Sequence, residues 1–108
     1  MYKTKKFIVP GSHTLLPIVA LILQKFGGKA TKNQIVLSVM SYCDLPFEAY
    51  KKAKNETGWA GTYLRKIGFL SDDSRRGEWI LKNEYMNLSF NELKRISYRL
   101  YAERSWET

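Results

Sequence analysis

A chain of 108 residues is one domain's worth, with room for a single core but not for a second independent module. Its 44% hydrophobic, 26% charged and 14% aromatic composition is that of a globular protein and argues against a disordered chain. A formal net charge of +8 creates a field that attracts polyanions, nucleic acid ahead of anionic membrane.

In chain order, Tyr2 to Val9 read as a basic, then apolar, extended lead-in, with Lys3, Lys5 and Lys6 ahead of Phe7, Ile8 and Val9, so residues 1–11 form a basic arm. Ser12 or Thr14 is placed to cap a first helix over about Leu15 to Phe26, with Pro17 in the opening turn and Gly27-Gly28 as its stop. The run Leu15 to Leu23 is about half of the ~20 residues a bilayer helix needs. No charged leader with a small-residue cleavage site precedes it. A cytoplasmic protein with no membrane partner is therefore expected.

Thr31-Lys32-Asn33-Gln34 has capping-box form, and Ile35, Val36, Val39 and Met40 follow at helical spacing, so the second helix runs from about Lys32 to Tyr42. Asp44-Leu45-Pro46 breaks it, and Phe47 to Lys54 reads equally as loop or a short extra turn. From Asn55, the residues Trp59, Ala60, Tyr63, Leu64 and Ile67 fall within about 140° of one another at 100° per residue, predicting a third helix that ends at Gly68. Trp59 and Tyr63 belong to the core on this reading.

Phe69-Leu70 and Glu78 to Leu81 predict a hairpin whose polar loop, Ser71 to Gly77, carries Arg75 and Arg76 at its tip. The pattern leaves open which face of its strand Trp79 takes. Ser89-Phe90-Asn91-Glu92 is a second capping box, opening a fourth helix, within residues 89–108, whose stripe is Phe90, Leu93, Ile96, Leu100 and Tyr101. Helix, helix, helix and hairpin over residues 12–81 predict a mainly α winged helix-turn-helix, in which the third helix enters the major groove.

The face of that helix away from the stripe holds Gly58, Gly61, Thr62 and Arg65, with Lys54 near its start. Two glycines cost about 1 kcal/mol each against alanine, which a merely solvated helix has no reason to carry. Small residues flanked by positive charge let the backbone approach a phosphate-lined groove closely. On this reading Gly61→Ala holds or raises stability while weakening binding.

Other chemistry finds little support. Cys43 stands alone, so neither an intrachain disulfide nor a cysteine zinc site is possible, and a buried, inert thiol is expected. His13 has no second histidine or cysteine with which to share a metal and reads as an ordinary residue of the first helix's start. Asp72 and Asp73 are explained as turn formers, and the glycines form no phosphate loop. No catalytic residues and no cofactor are expected.

Asn55-Glu56-Thr57-Gly58-Trp59-Ala60-Gly61-Thr62-Tyr63-Leu64, then Lys66, Gly68 and Leu70, then Ser74-Arg75-Arg76-Gly77-Glu78-Trp79-Ile80-Leu81, resemble the N-terminal winged-helix domain of Mrr-type restriction proteins. Val9-Pro10 and Leu15-Leu16-Pro17 extend the likeness over most of residues 9–81. The chain departs from the pattern at Glu56, where a basic residue is usual, and at Lys82 to Tyr85.

The resemblance implies a target-recognition module for double-stranded DNA in a restriction system acting on foreign or modified DNA, with the nuclease in a C-terminal domain or a partner. With the helix-face argument, and with Arg75 and Arg76 at the loop tip placed to grip phosphates or enter a minor groove, it gives as expected DNA contacts Lys54, Asn55, Thr57, Gly58, Gly61, Thr62, Arg65, Lys66, Arg75 and Arg76. A monomer is expected in isolation. The rival readings are a stand-alone winged-helix transcription regulator, dimeric through the fourth helix, and a winged helix whose basic face meets an acidic protein.

Overall fold

The computed structural model describes residues 7–74 and 77–104. The lysines of the arm (Lys3, Lys5, Lys6) and the loop arginines (Arg75, Arg76) lie outside them. Among the described residues, four helices, α1 (Ser12–Lys25), α2 (Lys32–Tyr42), α3 (Tyr50–Lys66) and α4 (Phe90–Glu103), accompany a small antiparallel sheet of β1 (Lys29–Thr31) and β2 (Glu78–Ile80). Short 3-10 turns occupy Phe47–Ala49 and Asn83–Tyr85.

The apolar run of the first helix explains its position. Leu15 to Ala20, Ile22 and Leu23 are all buried, so α1 is apolar nearly all round and must be covered on several sides. It packs against α2, α3 and α4, and no helix of the described residues is long and apolar enough to cross a membrane. The core joins Leu15, Leu16, Val19 and Leu23 to Ile35, Val39, Leu64, Phe69, Leu70, Trp79, Leu81 and Leu93.

Helix α1 begins three residues earlier than the sequence predicts. Its cap position is Gly11, with no side-chain cap from Ser12 or Thr14. The Ser12 amide instead donates to Glu56 Oε1 of α3 at 2.9 Å, so a distant carboxylate satisfies one of the orphan donors of the helix end. Pro17 consequently sits in the second turn. At the other end Gly28, at φ +102°, adopts a left-handed conformation that glycine takes without penalty, and its amide donates to the Leu23 carbonyl at 2.7 Å.

Both predicted capping boxes form. Thr31 accepts from the Gln34 amide at 3.1 Å while Gln34 Oε1 accepts from the Thr31 amide at 2.8 Å; Ser89 and Glu92 exchange the same pair of bonds. Helix α2 has the predicted bounds, and α4 buries Leu93 and Ser97 with Phe90, Ile96, Leu100 and Tyr101 partly covered.

The hairpin reading is corrected in part. Leu70 meets Leu81 only through an isolated bridge, with Ser71 N–H donating to Ile80 O at 2.7 Å and Lys82 N–H to Phe69 O at 2.9 Å. The longer pairing of β2 is with β1, in the register Lys29↔Ile80, Ala30↔Trp79 and Thr31↔Glu78. The segment around β2 thus lies between the chain that enters α2 and the chain that leaves α3.

Candidate nucleic-acid interface

Helix α3 begins at Tyr50, directly after the 3-10 turn, five residues before the predicted start. Tyr50 Oη donates to Asn33 Oδ1 of α2 at 3.3 Å, tying the starts of the two helices together. The line it buries is Ala53, Thr57, Ala60, Gly61 and Leu64. At 100° per residue, Lys51, Asn55, Gly58 and Thr62 lie on the opposite side, with Lys54 and Trp59 flanking them.

These six residues and Lys32, from the first turn of α2, line an open depression of about 520 Å³. Lys32 Nζ lies 3.0 Å from where a Cβ on Gly58 would stand, so the missing side chain of Gly58 makes room for the lysine of the neighbouring helix. Lys32, Lys51 and Lys54 make no ion pair among the described residues. Over its length α3 carries Lys51, Lys52, Lys54, Arg65 and Lys66 against one carboxylate, Glu56. That carboxylate, where the resembled pattern has a basic residue, is engaged with the start of α1.

Three expectations for this helix are overturned. Gly61 does not face outward: it is buried, and a Cβ there would overlap Cη2 and Cζ2 of Trp79, which occupies the space over it. Thr57 is wholly buried and cannot reach a ligand. Trp59 is 51% exposed and forms an edge of the depression instead of core. Its ring stacks on Tyr63 at 6.0 Å between centroids.

The depression therefore unites Lys54, Asn55, Gly58 and Thr62 of the expected contacts. Arg65 and Lys66 are exposed at the C-terminal end of α3, outside it. Lys32, Lys51 and Trp59 were not among the expected contacts. Lys51 shares the Asn55 and Thr62 face at four and eleven residues' spacing, a signal that depends on placing the helix start at Tyr50. Lys32 has no local signal, since only tertiary packing brings it to Gly58.

The remaining chemistry is sparse. No three His, Cys, Asp or Glu side chains among the described residues are grouped to hold a metal ion. Cys43 is half-buried and burial pushes its thiol up from the ordinary value, which disfavours the reactive thiolate. His13 packs between Tyr98 and Tyr101, 4.6 Å from each ring. Compared with protein-family models, curated proteins and solved structures, the chain matches none.

Proposed function

We propose that this chain is a winged helix-turn-helix domain that binds double-stranded DNA through the outer face of α3. The observation that carries the reading is the depression in which Lys32, Lys51 and Lys54 surround Asn55, Gly58 and Thr62. Three ammonium groups suit phosphate contacts, which dominate affinity, while the Asn55 amide has a donor and an acceptor for base edges and the Thr62 hydroxyl, which donates to the Gly58 carbonyl at 3.3 Å, keeps its oxygen as an acceptor. The +8 charge supplies the long-range attraction.

The element order supports the same reading: helix, strand, helix, helix, then the segments of Leu70 and Glu78–Ile80 flanking a polar loop. In such a domain Arg75 and Arg76, which lie outside the described residues, are the side chains expected to hold the flanking backbone. The likeness to Mrr-type N-terminal domains makes target recognition in a restriction system the role we assign, with cleavage of foreign or modified DNA performed by a nuclease domain or partner. The domain acts as a monomer in isolation and needs no cofactor.

Amide chemical-shift mapping with a blunt duplex tests the assignment. Shifts are expected to concentrate on Lys51–Thr62 and around Lys32. Shifts centred on the exposed side of α4, or none at low salt, would contradict it.

A further inference from the structure

The same depression contains a feature that phosphate binding does not use. Trp59 sets an indole with half its surface exposed beside three lysines and an amide, whereas a large aromatic side chain on a helix of this size ordinarily seeks the core. The indole is braced from behind. It stacks on Tyr63, Tyr63 meets Tyr101 edge-on at 5.2 Å, Tyr101 lies against His13, and His13 against Tyr98. A path of five rings thus runs from the outer face of α3 to the start of α1 and to α4, holding Trp59 at little entropic cost to a ligand that stacks on it.

A flat braced aromatic surface, flanking cations and an amide are together the parts that receive one nucleotide: the ring takes the base, the ammonium groups the phosphates, and the amide an edge of the base. The depression's volume lies within the ~300–1,000 Å³ typical of small-ligand sites. A base inside an intact duplex has both faces covered by its neighbours and cannot use the indole; an unpaired one can.

We propose that the depression receives an unpaired nucleotide, its base stacked on Trp59 and its phosphates among Lys32, Lys51 and Lys54. The inference rests on the DNA-binding reading and deepens it: the preferred ligand is duplex DNA that adjoins unpaired nucleotides, as at an overhang, a fork or a gap, over an uninterrupted duplex.

The test compares four labelled probes by fluorescence anisotropy with the full chain: a blunt duplex, the same duplex with a four-thymidine tail, the same duplex with a four-residue abasic tail, and a thymidine strand alone. The two tails carry equal charge and differ only in their bases. The thymidine tail is expected to bind about tenfold more tightly than the abasic one, in line with the stacking of a base on an aromatic side chain. Trp59→Leu is expected to abolish that difference and Trp59→Phe to retain part of it.

Equal affinity for the two tails, or a difference that survives Trp59→Leu, would overturn the proposal while leaving duplex binding intact. Binding of a thymidine strand alone, with no duplex bound, would keep the stacking site and overturn the duplex reading. Failure to bind any of the probes at low salt would overturn both.

Discussion

Gly61 and Trp79 interlock: the indole of the β2 residue fills the place where any side chain at position 61 of α3 would begin, three of its ring carbons lying within 2.9 Å of a Cβ built there. Both residues are buried, and Trp79 is paired across the sheet with Ala30 of β1. The contact joins α3 to the sheet, and it gives the glycine a reason unconnected with any ligand. Alanine at position 61 gains about 1 kcal/mol in helix propensity, but the ring, wedged in the core, has to move.

Gly61→Ala is therefore expected to destabilise the fold by about 1–3 kcal/mol, the usual cost of overpacking, with a lower urea midpoint. Combining it with Trp79→Phe, which vacates part of the space, should recover some of that loss beyond the sum of the single changes. Strict additivity, or a stabilised Gly61→Ala, would remove the interlock.

Trp59 offers the contrast. Because half its surface is exposed, Trp59→Ala is expected to cost no more than about 1–2 kcal/mol, against the ~3–5 kcal/mol of a buried tryptophan. Thermal unfolding of the variant checks this; a loss in the larger range would return Trp59 to the core.

These two residues show what the pattern of α3 could and could not tell. Taking the line of Ala53, Ala60 and Leu64 as the buried direction, Trp59 lies about 120° away and Gly61 about 80° away at 100° per residue. An apolar stripe drawn from Asn55 onward included Trp59 for its hydrophobicity and excluded Gly61 for having no side chain. Burial of Gly61 depends on a partner eighteen residues later, which no local period encodes. The capping boxes at Thr31 and Ser89 were legible because donor and acceptor lie within one turn of each other. The start of α3 was not: it follows a 3-10 turn and has no side-chain cap. Nor was β1, three residues long and defined by pairing with β2. Of the residues that line the depression, Lys54, Asn55, Gly58 and Thr62 are among the contacts expected from the sequence, and Lys32, Lys51 and Trp59 come together only through the packing.

The bond from the Ser12 amide to Glu56 makes Glu56 the cap of α1 in place of a local side chain. Glu56→Ala should cost about 0.5–2 kcal/mol, as removal of a helix cap does, and Ser12→Ala close to nothing because the donor is backbone. Urea unfolding of the two variants discriminates; equal effects would mean that the carboxylate does not serve the helix end.

Glu92 gives a pH signature. Its bonds with the Ser89 backbone and side chain hold its carboxyl below the ordinary value against an opposing effect of desolvation, with a smaller lowering from the charge of Arg95. With the folded pKa depressed, the contribution to stability is present above the unfolded carboxyl's pKa and is lost as the pH falls through the folded one. Glu92→Gln keeps an acceptor but has no proton to gain. The stability difference between parent and Glu92→Gln is thus expected to shrink on acidification through the carboxylate range and to stay level above it. A difference independent of pH would show that Glu92 does not cap α4 as an ion.

The central claim is that α3 presents its lysine face to DNA phosphates, and the salt dependence of blunt-duplex affinity tests it most directly. A plot of log K against log salt is expected to fall with a slope of about −0.9 per neutralised phosphate, and Lys51→Ala with Lys54→Ala to make that slope shallower by about 0.9 for each lysine removed. A flat response in the parent, or an unchanged slope in the double variant, would contradict the account.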